Sequence, residues 1–448
     1  MRKFRLDRFL LSTMLLAGAA NTIASGLRLE PDEAAQAASE LSELLRDNYV
    51  FPDIAVKYAE ALESRTKAEF YSDEVDLVEF ADELDALVND VHRDAHLSVI
   101  ANVAERDGER RVRRGPGSVS AIGTTTWIDD DIAYVELLGL PGDEASQDAM
   151  AKFLDEYRGA RALIIDARMC PGGTLPVIDV LSSRLYKQPT HLVTMDMRIG
   201  ATGELPEEFN ELPSLHRADS AATIARFEHW ATPSDNVADR AWADVPVYYL
   251  SILTAWACEL VALSLKSTER ANLVGITTGG AGHFGGMESF ANGALRVFVP
   301  VGRTFDPATG KDWEGDGIEP DIKVPSDQAL QAALSDIGVD SSLAASVSPQ
   351  GRRMPGPIVR RVNPEKKSYG LGIMPPRSGA SDIEVMMVTE NSVAEAAGLQ
   401  QGDRIVAING TRVADMKESG VIAALRSPKL GLEVSRAGET FDVSLALE

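Results

Sequence analysis

The chain has 448 residues, 44% of them hydrophobic, which is too long for a single core and implies two or three domains. Acidic residues (68) outnumber basic ones (44), for a net charge of −24. That balance excludes nucleic acid and anionic membrane surfaces as natural partners, but it does not identify a substrate.

Taken in order, the chain begins with a basic start at Arg2, Lys3, Arg5 and Arg8, followed by an apolar stretch from Phe9 to Ala20 and then small residues. This is the layout of a secretory signal over residues 1–24, cleaved after Ala19 or Ala24. The apolar stretch is too short to span a bilayer. No other long apolar run follows, so the expected product is exported, periplasmic or secreted, with no integral membrane segment after signal removal. Residues 25–104 read as a helical subdomain. Leu77, Phe80, Ala81, Leu84, Leu87, Val88 and Val91 keep helical spacing, and Leu41, Leu44, Leu45 and then Ala55, Tyr58, Ala59, Leu62 suggest two more helices. The segment ends at His92-Arg93-Asp94-Ala95-His96-Leu97, and the charged residues 105–117 read as a loop.

From residues 118 to 338 strands and helices alternate, the pattern of an α/β layer with sites at strand ends. Strands are predicted at Ile132–Leu138 and Ala162–Asp166, and helices at Ala149–Tyr157 and Thr174–Leu185. Arg168 to Gly173 forms a glycine-bearing turn after the second strand. Residues 187–245 are polar and proline-bearing and read as a surface excursion. The stretch 247–283 organises the rest. It has a buried strand at Val247–Leu250, a helix carrying Trp256, Leu260, Val261, Leu263 and Leu265, a short strand at Asn272–Val274, and a glycine-rich turn at Gly275–Gly282. A strand that turns sharply into a helix leaves free N–H groups beside the first helical residue, and hydrolases use this to set a nucleophile next to an oxyanion site. Taken alone, the stretch favours an ordinary strand–helix–strand unit of a core. A strand is predicted at Leu295–Val299. Residues 339–367 lack periodicity and read as a linker. Residues 368–448 form a further unit, with a strand at Ile383–Val388, Asn409-Gly410 as a hairpin turn between apolar runs, and a helix near Met416–Leu425.

That last unit resembles a PDZ domain. Gly370-Leu371-Gly372-Ile373 matches the carboxylate-binding loop, followed in order by Ala397-Gly398-Leu399, Gly402-Asp403-Arg404-Ile405 and Ile408-Asn409-Gly410. The resemblance implies a mostly-β domain that binds the C-terminal tails of polypeptides by strand addition. Residues 29–325 resemble the tail-specific, or C-terminal-processing, serine peptidases, in the branch of the interphotoreceptor retinoid-binding protein and the tricorn core. The carrying residues are Asp94 to Leu97, Ile165 to Arg168 with Pro171-Gly172-Gly173, Thr254 to Glu259, Gly275 to Gly280, and Trp313-Glu314-Gly315 with Gly317 to Ile322. The fold class implied is α/β, a crotonase-like peptidase core, with the N-terminal helical subdomain and the C-terminal PDZ domain attached.

The resemblance also implies a mechanism. A serine at the strand–helix turn attacks the peptide carbonyl, a histidine takes its proton, and a glutamate orients the machinery. By position His96 matches the histidine and Glu314 the glutamate. The N–H groups near Gly172 and Gly173 and at Ala257 match the oxyanion site. No cofactor is expected. The family's other branch uses a lysine where Ala281 stands. The departure lies at the nucleophile. The family reads Thr-x-Ser-Ala-x-Glu, and this chain reads Thr254-Ala255-Trp256-Ala257-Cys258-Glu259. A slip of one residue brings only Ala255 or Ala257 to the position. An indole cannot attack a carbonyl, and loss of a serine nucleophile lowers turnover by about a millionfold.

Each of these residues also has a plainer reading: His96 as a core or capping histidine, Glu314 as a loop charge, Trp313 as packing, and Asp166 with Arg168 as a structural ion pair, which is preferred. His92 and His283 lie close to the motifs, but two histidines without ligand spacing make no metal site. Two main functions follow: an exported, impaired peptidase-family protein that binds polypeptides, or an active hydrolase using another nucleophile. For the latter the nearest hydroxyls, Ser251 and Thr254, precede the helix start and should miss the oxyanion donors, and Cys258 should point elsewhere. A lipophilic-ligand carrier is a third, since one branch relative binds retinoids. The same resemblance brings Cys170 and Cys258 to one site, either as a disulfide or as two buried thiols.

Overall fold

The computed structural model describes residues 28–94, 96–102, 120–200, 208–251, 256–347, 369–373, 381–388, 392–400, 402–416, 421, 424, 427, 429–436 and 438–447. The chain divides into two compact units, Met1–Ser348 and Pro349–Glu448. The signal region 1–24, the loop 105–117 and most of the helix expected near Met416–Leu425 lie outside the described residues. No helix of the described residues is long and apolar enough to cross a membrane.

The first unit starts with β1 (Arg28–Leu29), α1 (Pro31–Asn48), α2 (Pro52–Leu62), β2 (Val75–Asp76) and α3 (Leu77–Val91). Local chemistry sets the helix starts. Pro31 occupies the first turn of α1, where its missing N–H costs nothing, and the Glu33 carboxylate accepts from the N–H of Glu30 at 3.0 Å. Asp76 caps α3 by accepting from the N–H groups of Val78 and Glu79. The apolar stripes then meet: Leu41, Leu45, Tyr58, Leu62, Phe80, Leu84 and Val88 share one buried core.

Next come β3 (Ser98–Ala101), β4 (Ile122–Ile128), β5 (Ile132–Leu137), α4 (Glu144–Glu156), β6 (Ala162–Asp166) and α5 (Pro176–Leu185). They are followed by β7 (Thr190–Arg198), α6 (Glu208–Glu211), β8 (Leu215–Ala218), β9 (Ile224–Ala231), β10 (Val247–Ser251), α7 (Ala257–Ser267) and β11 (Asn272–Gly275). The unit closes with β12 (His283–Phe290), β13 (Leu295–Phe305), β14 (Ile322–Lys323) and α8 (Ala329–Ile337). One six-stranded sheet has the order β14-β11-β10-β6-β5-β4, parallel except for β4. Its central strands are continuous apolar runs because both faces are covered. Leu163 and Ile165 of β6 pack on the face shared with Phe153, Leu181 and Leu260. Ala162 and Ile164 face the other way, toward Leu330 and Leu334 of α8.

A second, antiparallel sheet runs β12-β13-β7-β9-β8, with β3 also pairing with β13. This corrects two expectations. Residues 187–245 are not a surface excursion, since β7, β8 and β9 belong to this sheet. In β9, Ala225, Phe227, His229 and Ala231 are buried while Arg226 and Glu228 alternate with them, so polar residues on one face masked the strand. Nor does a linker begin at 339. Residues 341–346 form a short helix whose Ala344, together with Val347, is buried against α8. The strand expected at Leu295–Val299 also runs on to Phe305.

The second unit contains β15 (Leu371–Ile373), β16 (Ile383–Val388), α9 (Val393–Ala396), β17 (Arg404–Ile408), β18 (Thr411–Arg412), β19 (Lys429–Arg436) and β20 (Glu439–Ala446). The strands order β15-β16-β17-β19-β20, with β18 paired to β17. Asn409 (φ 49°) and Gly410 (φ 81°) make the two-residue turn that brings Ile408 opposite Thr411. Asp403 is buried and accepts from the Arg436 guanidinium, which ties the start of β17 to β19.

Candidate active site

His96 follows α3 and is set by Asp94. One carboxylate oxygen of Asp94 accepts from the backbone N–H groups of His96 (2.9 Å) and Leu97 (3.2 Å). The other accepts from the Tyr49 hydroxyl at 3.0 Å and from His283 Nδ1 at 2.6 Å. Burial alone would raise the Asp94 carboxyl, but the hydrogen bond and charge of His283, with the charge of His96, hold it down at about 2. Burial likewise opposes charge on His283. Asp94, Glu314 and Asp312 outweigh it, so the His283 pKa lies above its ordinary value.

Glu314 lies in the loop before β14, and its side chain is buried. One of its oxygens accepts from the N–H groups of Gly282 (2.7 Å) and His283 (2.9 Å). His96 Nδ1 stands 3.5 Å from the same oxygen and has no hydrogen-bond partner. That separation is longer than a normal hydrogen bond. Trp313 packs flat against Gly282, where an added Cβ would lie 3.2 Å from the indole.

Trp256 precedes the first residue of α7 and accepts through its carbonyl from the N–H groups of Glu259 and Leu260. Its backbone sits at φ 59°, ψ −125°, a conformation a bulky residue rarely adopts. The indole is 39% exposed, and its ring centroid lies 5.5 Å from that of His96, tilted by 30°. Phe298 of β13 also lies 5.5 Å from His96, at 32°. Tryptophan therefore stands where the fold aims a side chain at the histidine, and the imidazole contacts both aromatic rings.

The glycine loop after β6 is held by Leu140. The Leu140 N–H donates to the Gly172 carbonyl (2.9 Å), and the Thr174 N–H donates to the Leu140 carbonyl (2.6 Å). Gly172 and Gly173 have φ of 112° and 150°, and a Cβ on Gly173 would lie 2.0 Å from the Leu140 oxygen. Among the described residues the N–H groups of Gly172, Gly173 and Ala257 donate to nothing. A disulfide joins Cys170 to Cys258, with Cα atoms 6.2 Å apart. Asp166 and Arg168 form a bidentate pair at the end of β6, and Arg168 also donates to the Ser326 carbonyl. The ion pair expected at this strand end is therefore present.

Sequence reasoning gave no role to Glu259. It is wholly buried and accepts from the Thr278 hydroxyl (2.5 Å) and from the N–H groups of Gly280 (2.7 Å) and Ala281 (2.8 Å). It thus binds the first turn of α7 to the second glycine-rich turn. Burial pushes its carboxyl up, and these donors offset that only in part. A lone carboxylate inside an apolar helix was the available signal. The partnership of Tyr49, Asp94 and His283 had no local signal, because 45 and 189 residues separate the bonded groups.

Of the other hydroxyls considered, Ser251 is fully buried and donates to the Ile276 carbonyl at 2.9 Å. Thr254 and Ala255 lie outside the described residues. Atoms of Asp94, His96 and Glu314 come within 4.8 Å of one another, as metal ligands do. Each oxygen of Asp94 already accepts two hydrogen bonds, so a cation there would have to displace them.

In the second unit, Gly370 (φ 72°) leads into β15, which pairs with β16 on one side. Leu371, Gly372 and Ile373 therefore form an edge strand, and the other side of β15 has no strand partner among the described residues.

Residues 131–324 match peptidase family S41, and residues 360–435 match the PDZ domain. Among solved structures, the photosystem II D1 C-terminal processing protease is similar at 22% identity over 44% of this chain, with a TM-score of 0.31. The match spans 42% of that protease's own length. Mature CPAF is similar at 12% identity over 72% of this chain and 99% of its own, with a TM-score of 0.45. The HtrA3 PDZ domain, solved with the phage-derived ligand FGRWV, matches at 31% identity over 18% of this chain and 86% of its own, with a TM-score of 0.17.

Proposed function

The chain carries a peptidase family S41 domain followed by a PDZ domain, and from that premise we propose that it is an exported protein that binds polypeptides at a peptidase centre unable to cleave them. The observation that carries the reading is Trp256. It occupies the strained position between β10 and α7, faces His96, and offers no hydroxyl. The substitutes considered for the nucleophile are engaged elsewhere where they are described: the Ser251 hydroxyl on the Ile276 carbonyl, and Cys258 in a disulfide. In this reading His96 and Glu314 are the remnant base and its support. The N–H groups of Gly172, Gly173 and Ala257 take a peptide carbonyl in its ground state instead of an oxyanion.

The PDZ unit supplies a second contact. An extended C-terminal tail adds to the open edge of β15, and its carboxylate is taken by the loop at Gly370–Ile373. Export rests on the basic and apolar layout of residues 1–24. N-terminal sequencing of protein recovered outside the cytoplasm tests it, with a start shortly after Ala19 or Ala24 expected.

The purified protein, mixed with a fluorescently labelled unfolded polypeptide, should show saturable binding by anisotropy, no fragments on a gel, and no labelling by a fluorophosphonate. Fragments or labelling that disappear with His96→Ala would overturn the reading.

A further inference from the structure

The two halves of the site are joined to each other by one covalent link. The loop carrying Gly172 and Gly173 is anchored to Leu140, through Leu140 N–H to Gly172 and Thr174 N–H to Leu140. The first turn of α7 is anchored elsewhere. The Tyr249 hydroxyl donates to the Cys258 carbonyl at 2.7 Å, and Glu259 holds the Gly280–Ala281 turn. Among the described residues no hydrogen bond runs directly between residues 168–174 and residues 256–260; the Cys170–Cys258 disulfide does. Left-handed backbone lies beside both sulfurs: Gly172 and Gly173 two and three residues after Cys170, and Trp256 two residues before Cys258. For a tryptophan such a conformation persists only where surrounding structure holds it, whereas glycine adopts it freely.

We propose that the Cys170–Cys258 disulfide is a redox clamp on the polypeptide site. Closed, it keeps the glycine loop against α7 and holds Trp256 over His96. Opened, it lets loop and helix separate, so that the indole leaves the imidazole and the cleft admits a polypeptide chain. The reductant is a dithiol. Its thiolate attacks one sulfur to give a mixed disulfide, its second thiol closes to a cyclic disulfide, and two electrons and two protons pass to Cys170 and Cys258. Both cysteines are buried, at 3% and 0% exposure, so exchange waits on local opening and is slow. The inference rests on the polypeptide-binding reading and adds its regulation.

The test uses the full chain, oxidised or treated with dithiothreitol, with thiols counted by alkylation and mass spectrometry. Acrylamide quenching of tryptophan fluorescence, taken as the difference between wild type and Trp256→Phe, reports the indole. Anisotropy of a labelled, carboxymethylated unfolded polypeptide reports binding. Reduction is expected to expose Trp256 and to tighten binding by about 5-fold or more, the lower end of ordinary coupling between sites. The variant carrying both Cys170→Ala and Cys258→Ala should match the reduced protein with or without reductant. Two free thiols in untreated protein, a disulfide that dithiothreitol cannot open in the folded chain, or equal binding in both states would overturn the clamp. Equal binding would leave the polypeptide-binding reading standing, whereas binding in neither state would overturn that reading as well.

Discussion

Replacing Trp256 by serine restores a hydroxyl at the point where the fold aims a side chain at His96. The stability cost can be sized from burial. A fully buried tryptophan lost to a small residue costs about 3–5 kcal/mol. This indole is 39% exposed, so roughly three-fifths of that applies, or about 2–3 kcal/mol. Serine inherits the same backbone at φ 59°, so no strain is relieved. The gain in chemistry follows from what surrounds the position. His96 is in place, Glu314 lies 3.5 Å from its Nδ1, and the N–H groups of Gly172, Gly173 and Ala257 have no acceptor among the described residues. A missing nucleophile accounts for about a millionfold in turnover. The long contact between His96 and Glu314 must tighten when substrate binds, so only part of that factor should return, on the order of 100-fold over wild type. The assay is release of fragments from a labelled unfolded polypeptide, alongside fluorophosphonate labelling of residue 256 located by mass spectrometry. Adding His96→Ala to Trp256→Ser should remove both signals. A cooperatively folded Trp256→Ser protein with neither turnover nor labelling would refute the reasoning, because the retained base and donors would then not form a working site.

Three other outcomes follow from the same geometry. His283 holds its proton more tightly in the folded state than in the unfolded chain, so the stability it contributes is complete below about pH 6.5 and is lost as pH rises through its raised folded value. Thermal melts between about pH 5 and pH 9 should show that loss in wild type and a flatter profile in His283→Gln. Glu259→Ala should destabilise the first unit by about 3 kcal/mol or more, measured by denaturant titration, because the Thr278 hydroxyl and the N–H groups of Gly280 and Ala281 lose their acceptor. A loss under about 1 kcal/mol would mean that water replaces the carboxylate. Peptides ending in a free carboxylate and an apolar residue should bind the full chain about 10-fold tighter than their C-terminal amides, the worth of a hydrogen bond to a charged group; equal affinity by calorimetry would exclude carboxylate capture.

Much of the scaffold is legible in the chain because its strands are of two easily read kinds. Ala162–Asp166 in β6 and Ile383–Val388 in β16 have the predicted bounds, one as an apolar run closed by Asp166 and the other as an apolar run interrupted only by Glu384. The β7–β9 region failed the same test. Polar or charged groups such as Asp196, Arg226 and Glu228 interrupt these strands, and β7 finds its second neighbour only in the distant β13. The short helix at residues 341–346 was likewise invisible, since small and polar residues set no period and its burial comes from α8.

The sequence by itself determined that residue 256 is a tryptophan where the flanking residues call for serine, that Ala281 excludes a lysine there, and that Gly370-Leu371-Gly372-Ile373 matches a carboxylate-binding loop. These are matters of side-chain identity and local order, which need no neighbours. The tertiary structure alone decided how the tryptophan sits. Its left-handed backbone, its ring against His96, the Asp94–His283 pair behind that histidine and the Glu259 strut join groups from three separate stretches of chain. Each contact exists because the packing of helices and sheets removes water from these groups and leaves one another as their partners, and no local spacing encodes that.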